Sequence, residues 1–185
     1  MKQQTLKYSA LAALISIHPF IAATAEEATS FSDILTKSET KFSFRYRYEY
    51  VDDKDANAST LKSRITWSSA AYKGFSGLVE VDDVSHIGGE NYATPSNGKA
   101  GEYPIVADSD GTDINQIYLK YKGDSFTGIA GRQRILHAGQ RFVGGVGWRQ
   151  NEQTFDSFRL QLPAGPVSLD YSYIWDVNRV FGPDT

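Results

Sequence analysis

The chain has no cysteine, one methionine, three histidines and only six prolines among its 185 residues. Without cysteine there is no disulfide scaffold, no thiol nucleophile and no sulfur-bound zinc. His18, His86 and His137 show no spacing that would place two of them on one metal. Positive charge is also short: 19 Lys and Arg face 22 Asp and Glu, a net charge of −3. That balance offers no basic footprint for a nucleic acid, so none is expected as a partner. Long apolar runs are missing too, and no stretch approaches the ~20 residues of a membrane helix. Leu and Ile are sparse, whereas there are 11 Tyr, 10 Phe and 3 Trp. Hydrophobic residues make up 41% of the chain, which rules out wholesale disorder.

The first 25 residues read as an export address. Lys2 and Lys7 precede an apolar stretch at 10–17, Pro19 interrupts it, and Ala23-Thr24-Ala25 forms a small-x-small cleavage site. The apolar stretch is too short for a membrane anchor. Residues 1–25 are therefore expected to be a signal peptide cleaved after Ala25, followed by a lead-in at 26–41 that holds a short helix around 31–35 or is flexible. An exported, cysteine-free chain fits a bacterial envelope.

From residue 42 the apolar residues recur with period two, the spacing of a β-strand with two unlike faces. Phe42, Phe44, Tyr46, Tyr48 and Tyr50 alternate with Ser43, Arg45, Arg47 and Glu49. Six further segments follow, at 61–70, 75–84, 114–122, 126–134, 154–162 and 167–176. In most of them rings and aliphatics oppose charged or hydroxyl residues. Each is close to the ~9–11 residues of a tilted transmembrane strand. An all-aromatic stripe packs poorly as a soluble core, which mixes ring and branched shapes. Facing lipid, with tyrosines near the headgroups, it is reasonable.

Three tight connections, at 72–74, 122–125 and 163–166, alternate with three longer ones at 51–60, 85–113 and 135–153. Short turns on one side and long loops on the other mark an outer-membrane barrel. The expected fold is all-β, an antiparallel transmembrane β-barrel with about seven strands over 42–185. Because single-chain barrels usually have an even strand count, seven reads as the N-terminal part of a longer one. The alternative is a soluble secreted β-domain that binds carbohydrate through its aromatics.

Several stretches go beyond pattern. They are FRYRYEYVDD at 44–53, VEVDDVSHIGGENY at 79–92 and above all GRQRILHAGQRFVGGVGWRQNEQTFDSFRL at 131–160. Together they resemble the alginate-export family of outer-membrane porin-like barrels, over roughly residues 42–182. The resemblance implies a large antiparallel barrel in the bacterial outer membrane, with lipid outside. It also implies a positively charged lumen passing an anionic polysaccharide or other anionic solute, and no enzymatic activity.

Candidate lumen residues follow from the strand faces. Arg45 and Arg47 would lie near Lys62 and Arg64 across a strand pair, and Arg159 takes an inward position. Arg132 and Arg134 are further candidates, and Arg141 and Arg149 sit on the long loop at 135–153, which could fold over the pore. Arginine forks bind carboxylates bidentately and always carry charge, so such a wall would prefer anions. The competing expectation is that these arginines pair with Glu49, Glu80, Asp82 and Asp170 and only brace the wall.

Other constellations are weaker. The run at 108–113 is acidic but fails the spacing of a calcium loop, with Gly111 fourth and Leu119 twelfth. The glycines at 144–147 lack the dinucleotide spacing. Asp52-Asp53 and Asp82-Asp83 would be the acids of a glycosidase, but strand ends carry solvated charge anyway. No catalytic residue, metal or cofactor is expected.

Overall fold

The computed structural model describes residues 13–17, 27–137 and 139–183. Its strands form a single antiparallel meander in chain order. They are β1 (Ala13–Ile17), β2 (Glu39–Val51), β3 (Ala56–Ser68), β4 (Phe75–His86), β5 (Gly111–Lys122), β6 (Thr127–Gln133), β7 (Thr154–Ala164) and β8 (Val167–Asn178). The seven segments expected from residue 42 onward correspond to β2–β8. β1 falls inside the expected signal peptide and pairs with the outer edge of β2, from Ala13 opposite Tyr48 to Ile17 opposite Phe44. The expected cleavage after Ala25 lies outside the described residues.

The lead-in contains a single helical turn, α1 (Asp33–Thr36). Asp33 Oδ2 accepts bonds from Thr29 N (2.9 Å), Thr29 Oγ1 (2.8 Å) and Ser30 N (3.2 Å). These donors favour the carboxylate and pull the Asp33 pKa down to about 2.

One expected loop is absent. The sequence pattern makes 51–60 a long external loop, yet β2 and β3 stay in register up to Val51 opposite Ala56. Only residues 52–55 make the turn, with Lys54 and Asp55 at positive φ. Ala56, Ala58 and Thr60 are small and fully buried; the long loop at 87–110 folds back over Ala58, and Gln150 bonds to Thr60. Tyr92 and Val106 of that loop close a small apolar cluster on Ala58 and Val51. Alternation of small residues is a weak strand signal, so the sequence pattern understates β3. The strict short-long sequence of connections therefore does not hold at its first member.

The tight turns are as expected. Tyr72 bridges Phe75 around Lys73 (φ 50°) and Gly74 (φ 83°). Positive φ at both central residues is the hairpin turn whose twist matches the strands. At that end Phe75, Tyr121 and Phe126 stack in a row, with ring centroids 4.7 and 5.4 Å apart.

The two faces of the sheet are inverted relative to a water-soluble protein. Phe44, Ile117, Leu119, Tyr171 and Tyr173 are about half exposed or more, while Arg47, Lys62, Glu80 and Asp82 are buried. A soluble sandwich would cover the ring face with a second sheet; here that face is open, as a lipid-facing surface requires. A bulge sharpens the polar face. Glu80 pairs with Gln116 and Val81 with Ile114, so Asn115 is the extra residue. Asn115 and Gln116 are both buried and both donate to Glu80 Oε1, at 2.8 and 3.2 Å.

Candidate functional site

Register builds the polar face first. Arg45 stands opposite Lys62, and Arg64 opposite Asp82. Arg64 grips Asp82 with a two-pronged contact, 2.6 Å on each side. The segment at 134–153, between β6 and β7, then lies across β2–β4 and supplies what the strands lack. Its Glu152 accepts from Arg64 (2.5 Å), from Lys62 (3.4 Å) and from Arg134. Arg134 also reaches Glu80 at 2.5 Å. Burial pushes the Glu152 carboxyl up, but the bond from Arg134 and the charges of Arg64, Arg134 and Lys62 outweigh it and hold it far below the usual range.

A second cluster lies further along β2. Arg47 pairs with Asp108 and with Glu49. Arg149 joins the same Glu49 oxygen at 3.0 Å, and both guanidinium groups lie over the Trp148 ring, at 4.9 Å for Arg47 and 4.0 Å for Arg149. Gln150 locks the loop to the wall. It is fully buried, accepts from Arg45 Nε (2.9 Å), and donates to Thr60 Oγ1 (2.9 Å) and to the Arg45 carbonyl (3.2 Å). Its backbone N–H donates to Asp108 Oδ1 at 3.1 Å. Arg45 adds bonds to the carbonyls of Gly147 (2.8 Å) and Arg149.

The candidate residues thus separate into three groups. Arg45, Arg47, Lys62, Arg64, Arg134 and Arg149 come together in these two clusters with Glu49, Glu80, Asp82, Asp108 and Glu152. Six bases against five acids make a nearly neutral wall rather than a strongly positive one. Arg132 and Arg159 stand apart on β6 and β7: Arg132 holds Asp156 (2.8 Å) and more loosely Asp113, and Arg159 holds Asp170 (2.5 Å). Arg141 is exposed and sits 5.9 Å from the Phe142 ring. Among the described residues no carboxylate lies within 4.0 Å of Arg45 or Arg141. The bracing partners Glu49, Glu80, Asp82 and Asp170 all occur. Sequence reasoning misses Asp108, Glu152, Asp156 and Gln150 as partners, although Gln150 and Glu152 lie within the GWRQNEQ stretch that carries the family resemblance.

The acidic run at 108–113 and the Asp82-Asp83 pair disperse among separate partners. Asp108 pairs with Arg47, Asp110 with His86 and Asp113 with Arg132 (3.6 Å), so the run at 108–113 has three destinations. Asp82 turns to Arg64, while Asp83 takes bonds from Thr112 (2.7 Å) and Ser85 (2.9 Å) on the opposite face. Adjacent strand residues cannot act as a facing pair of acids.

An antiparallel sheet with rings outward and a charged network inward, crossed by a long loop, is the wall of a membrane β-barrel. The alginate export family model matches residues 37–176, and the chain belongs to that family. It is a family of outer-membrane transport proteins. Neither the curated proteins nor the solved structures compared give a match.

Proposed function

We propose that this chain, exported by way of residues 1–25, builds part of a passive outer-membrane channel for an anionic, alginate-like polysaccharide or small anionic solutes. The observation that carries this reading is the placement of six bases, four on one face of the sheet and two on the loop that crosses it, opposite a face of exposed rings. Lipid contacts the rings, and the solute contacts the charged face. Paired charges brace the wall and present alternating fixed dipoles to a wet lumen. Among the described candidate residues, Arg45 and Arg141 have no carboxylate partner and leave a modest positive bias. Such a bias selects anions without binding them so tightly that they stay. No covalent step is involved, and no residue is assigned a catalytic role.

Reversal potential in a planar bilayer under a potassium chloride gradient tests this. Arg141→Glu reverses an exposed charge that no ion pair needs, so the expected result is a lower anion preference in a normally inserted channel. An unchanged reversal potential would remove the arginine-lined lumen. Arg47 is a poor place for the same change, because reversal there breaks a buried pair with Asp108 and reports stability instead.

A further inference from the structure

The exposed rings of the strands belong to the lipid-facing side, yet two exposed rings stand on the loop between β6 and β7. Trp148 is 57% exposed and Phe142 is 93% exposed. The loop around Trp148 is pinned to the charged face through Gln150 and Arg45, so this indole meets water rather than lipid. Arg47 and Arg149 both donate to the same oxygen of Glu49. Sharing one oxygen brings the two guanidinium groups together at the Trp148 ring, 4.9 and 4.0 Å from its centroid, and the 57% exposure of this residue leaves part of the indole open.

A pocket of about 560 Å³ adjoins it, bordered by Trp148, Gly147, Gly145, Gln140, Arg134 and Glu152, the last already paired with Arg134, Arg64 and Lys62. That is within the ~300–1,000 Å³ of small-molecule sites. Its polar groups retain unused donors. Arg134 spends Nε and Nη2 on Glu152 and Glu80, and its Nη1 bonds to no described residue. Gln140 gives its Oε1 to the Gly145 N–H (3.3 Å), which leaves its amide nitrogen to donate.

We propose that Trp148, Arg134 and Gln140 form a sugar subsite for one uronate unit. The apolar C–H face of the pyranose lies on the open part of the indole. Arg134 Nη1 donates to the ring carboxylate, and the Gln140 amide donates to a hydroxyl. A flat ring beside a fixed cation recognises this chemistry, because a uronate carries an apolar face and an anion on the same ring. Phe142 with Arg141 offers a second pairing of the same kind on the same loop. The subsite rests on the channel reading for its polymer class, and adds a binding step that reversal potentials do not report.

Calorimetric titration of the detergent-extracted full chain with a short linear oligomannuronate, and with a neutral mannose oligomer of equal length, tests it. The acidic oligomer should bind roughly tenfold more tightly than the neutral one, and Trp148→Ala should weaken it roughly tenfold. Trp148→Phe should restore binding to within about threefold, and Trp148→Leu, apolar but not flat, should not. The last two variants decide the matter if Trp148→Ala fails to fold. Wild-type affinity in Trp148→Leu, or equal affinity for the neutral oligomer, overturns the subsite and leaves the channel standing. No binding of the acidic oligomer to the wild type overturns the subsite and the polyuronate reading together.

Discussion

Glu152→Gln isolates what the buried network contributes. Lys62, Arg64 and Arg134 converge there on Glu80, Asp82 and Glu152, three charges of each sign. Glutamine keeps the shape and most of the hydrogen bonding but leaves one positive charge uncompensated in a site where the Glu152 side chain is only 9% exposed. Removing one partner of a buried pair costs about 3–5 kcal/mol. Arg134 is 26% exposed and can relax into water, which places the expected loss near the lower end, about 3 kcal/mol. Denaturant unfolding in lipid vesicles, followed by tryptophan fluorescence, should show a lower midpoint with an unchanged slope. The pH dependence gives a second handle. The folded carboxyl sits far below its unfolded value of about 4.3, so its contribution is complete above that pH and is lost as the pH falls through the window beneath it. The loss runs at about 1.4 kcal/mol per pH unit, so wild type and variant should converge as acid is added. A Glu152→Gln protein within about 0.5 kcal/mol of wild type at pH 7 would refute the charge argument. A gap that persists undiminished at low pH would refute it as well.

Two more changes test the scaffold. Gly131 has φ +123°, and a Cβ there would lie 2.3 Å from the Ile117 carbonyl oxygen and 2.9 Å from Tyr118 Cα. Both are backbone atoms that cannot swing away, so Gly131→Ala should cost more than about 3 kcal/mol and abolish the heat-modifiable folded band; normal folding would show that β5 and β6 approach less closely. Gln150→Leu removes the donors to Thr60 and Arg45 and leaves the Arg45 Nε without its acceptor. The loop should then open more often, and trypsin cleavage at Arg141 or Arg149 should rise roughly tenfold, whereas unchanged protection would mean that other contacts hold the loop.

Part of the fold is legible in the residues alone. Positions 42–50 declare themselves as a strand because every second side chain is a ring. The segment at 56–60 does not, since Ala56 and Ala58 are too small to mark a face, and Ala58 packs against Tyr92 and Val106 from a distant loop. The bulge at Asn115 is equally invisible: nothing in Ile-Asn-Gln-Ile says that two adjacent amides share one face. For the site, the arginines are nameable one by one, and so is the possibility that acids brace them. Their actual partners are not, because Glu152 lies 88 residues from Arg64 and Asp108 lies 61 from Arg47.

By itself the sequence determined the class of protein. Period-two alternation, tight turns and an excess of rings are local properties, and they suffice for an antiparallel sheet with one lipid-compatible face. The run at 131–160 sufficed to point to the family before any geometry was known. Tertiary structure alone decided the electrostatics. Whether a wall of arginines is a positive pore or a neutral, cross-braced one depends on which carboxylates come within about 4 Å of them, since the interaction falls off with distance and with exposure to water. That in turn depends on the fold of two loops: 87–110, which brings Asp108, and 134–153, which brings Glu152, Gln150 and Trp148 onto a face that the strands had only half completed.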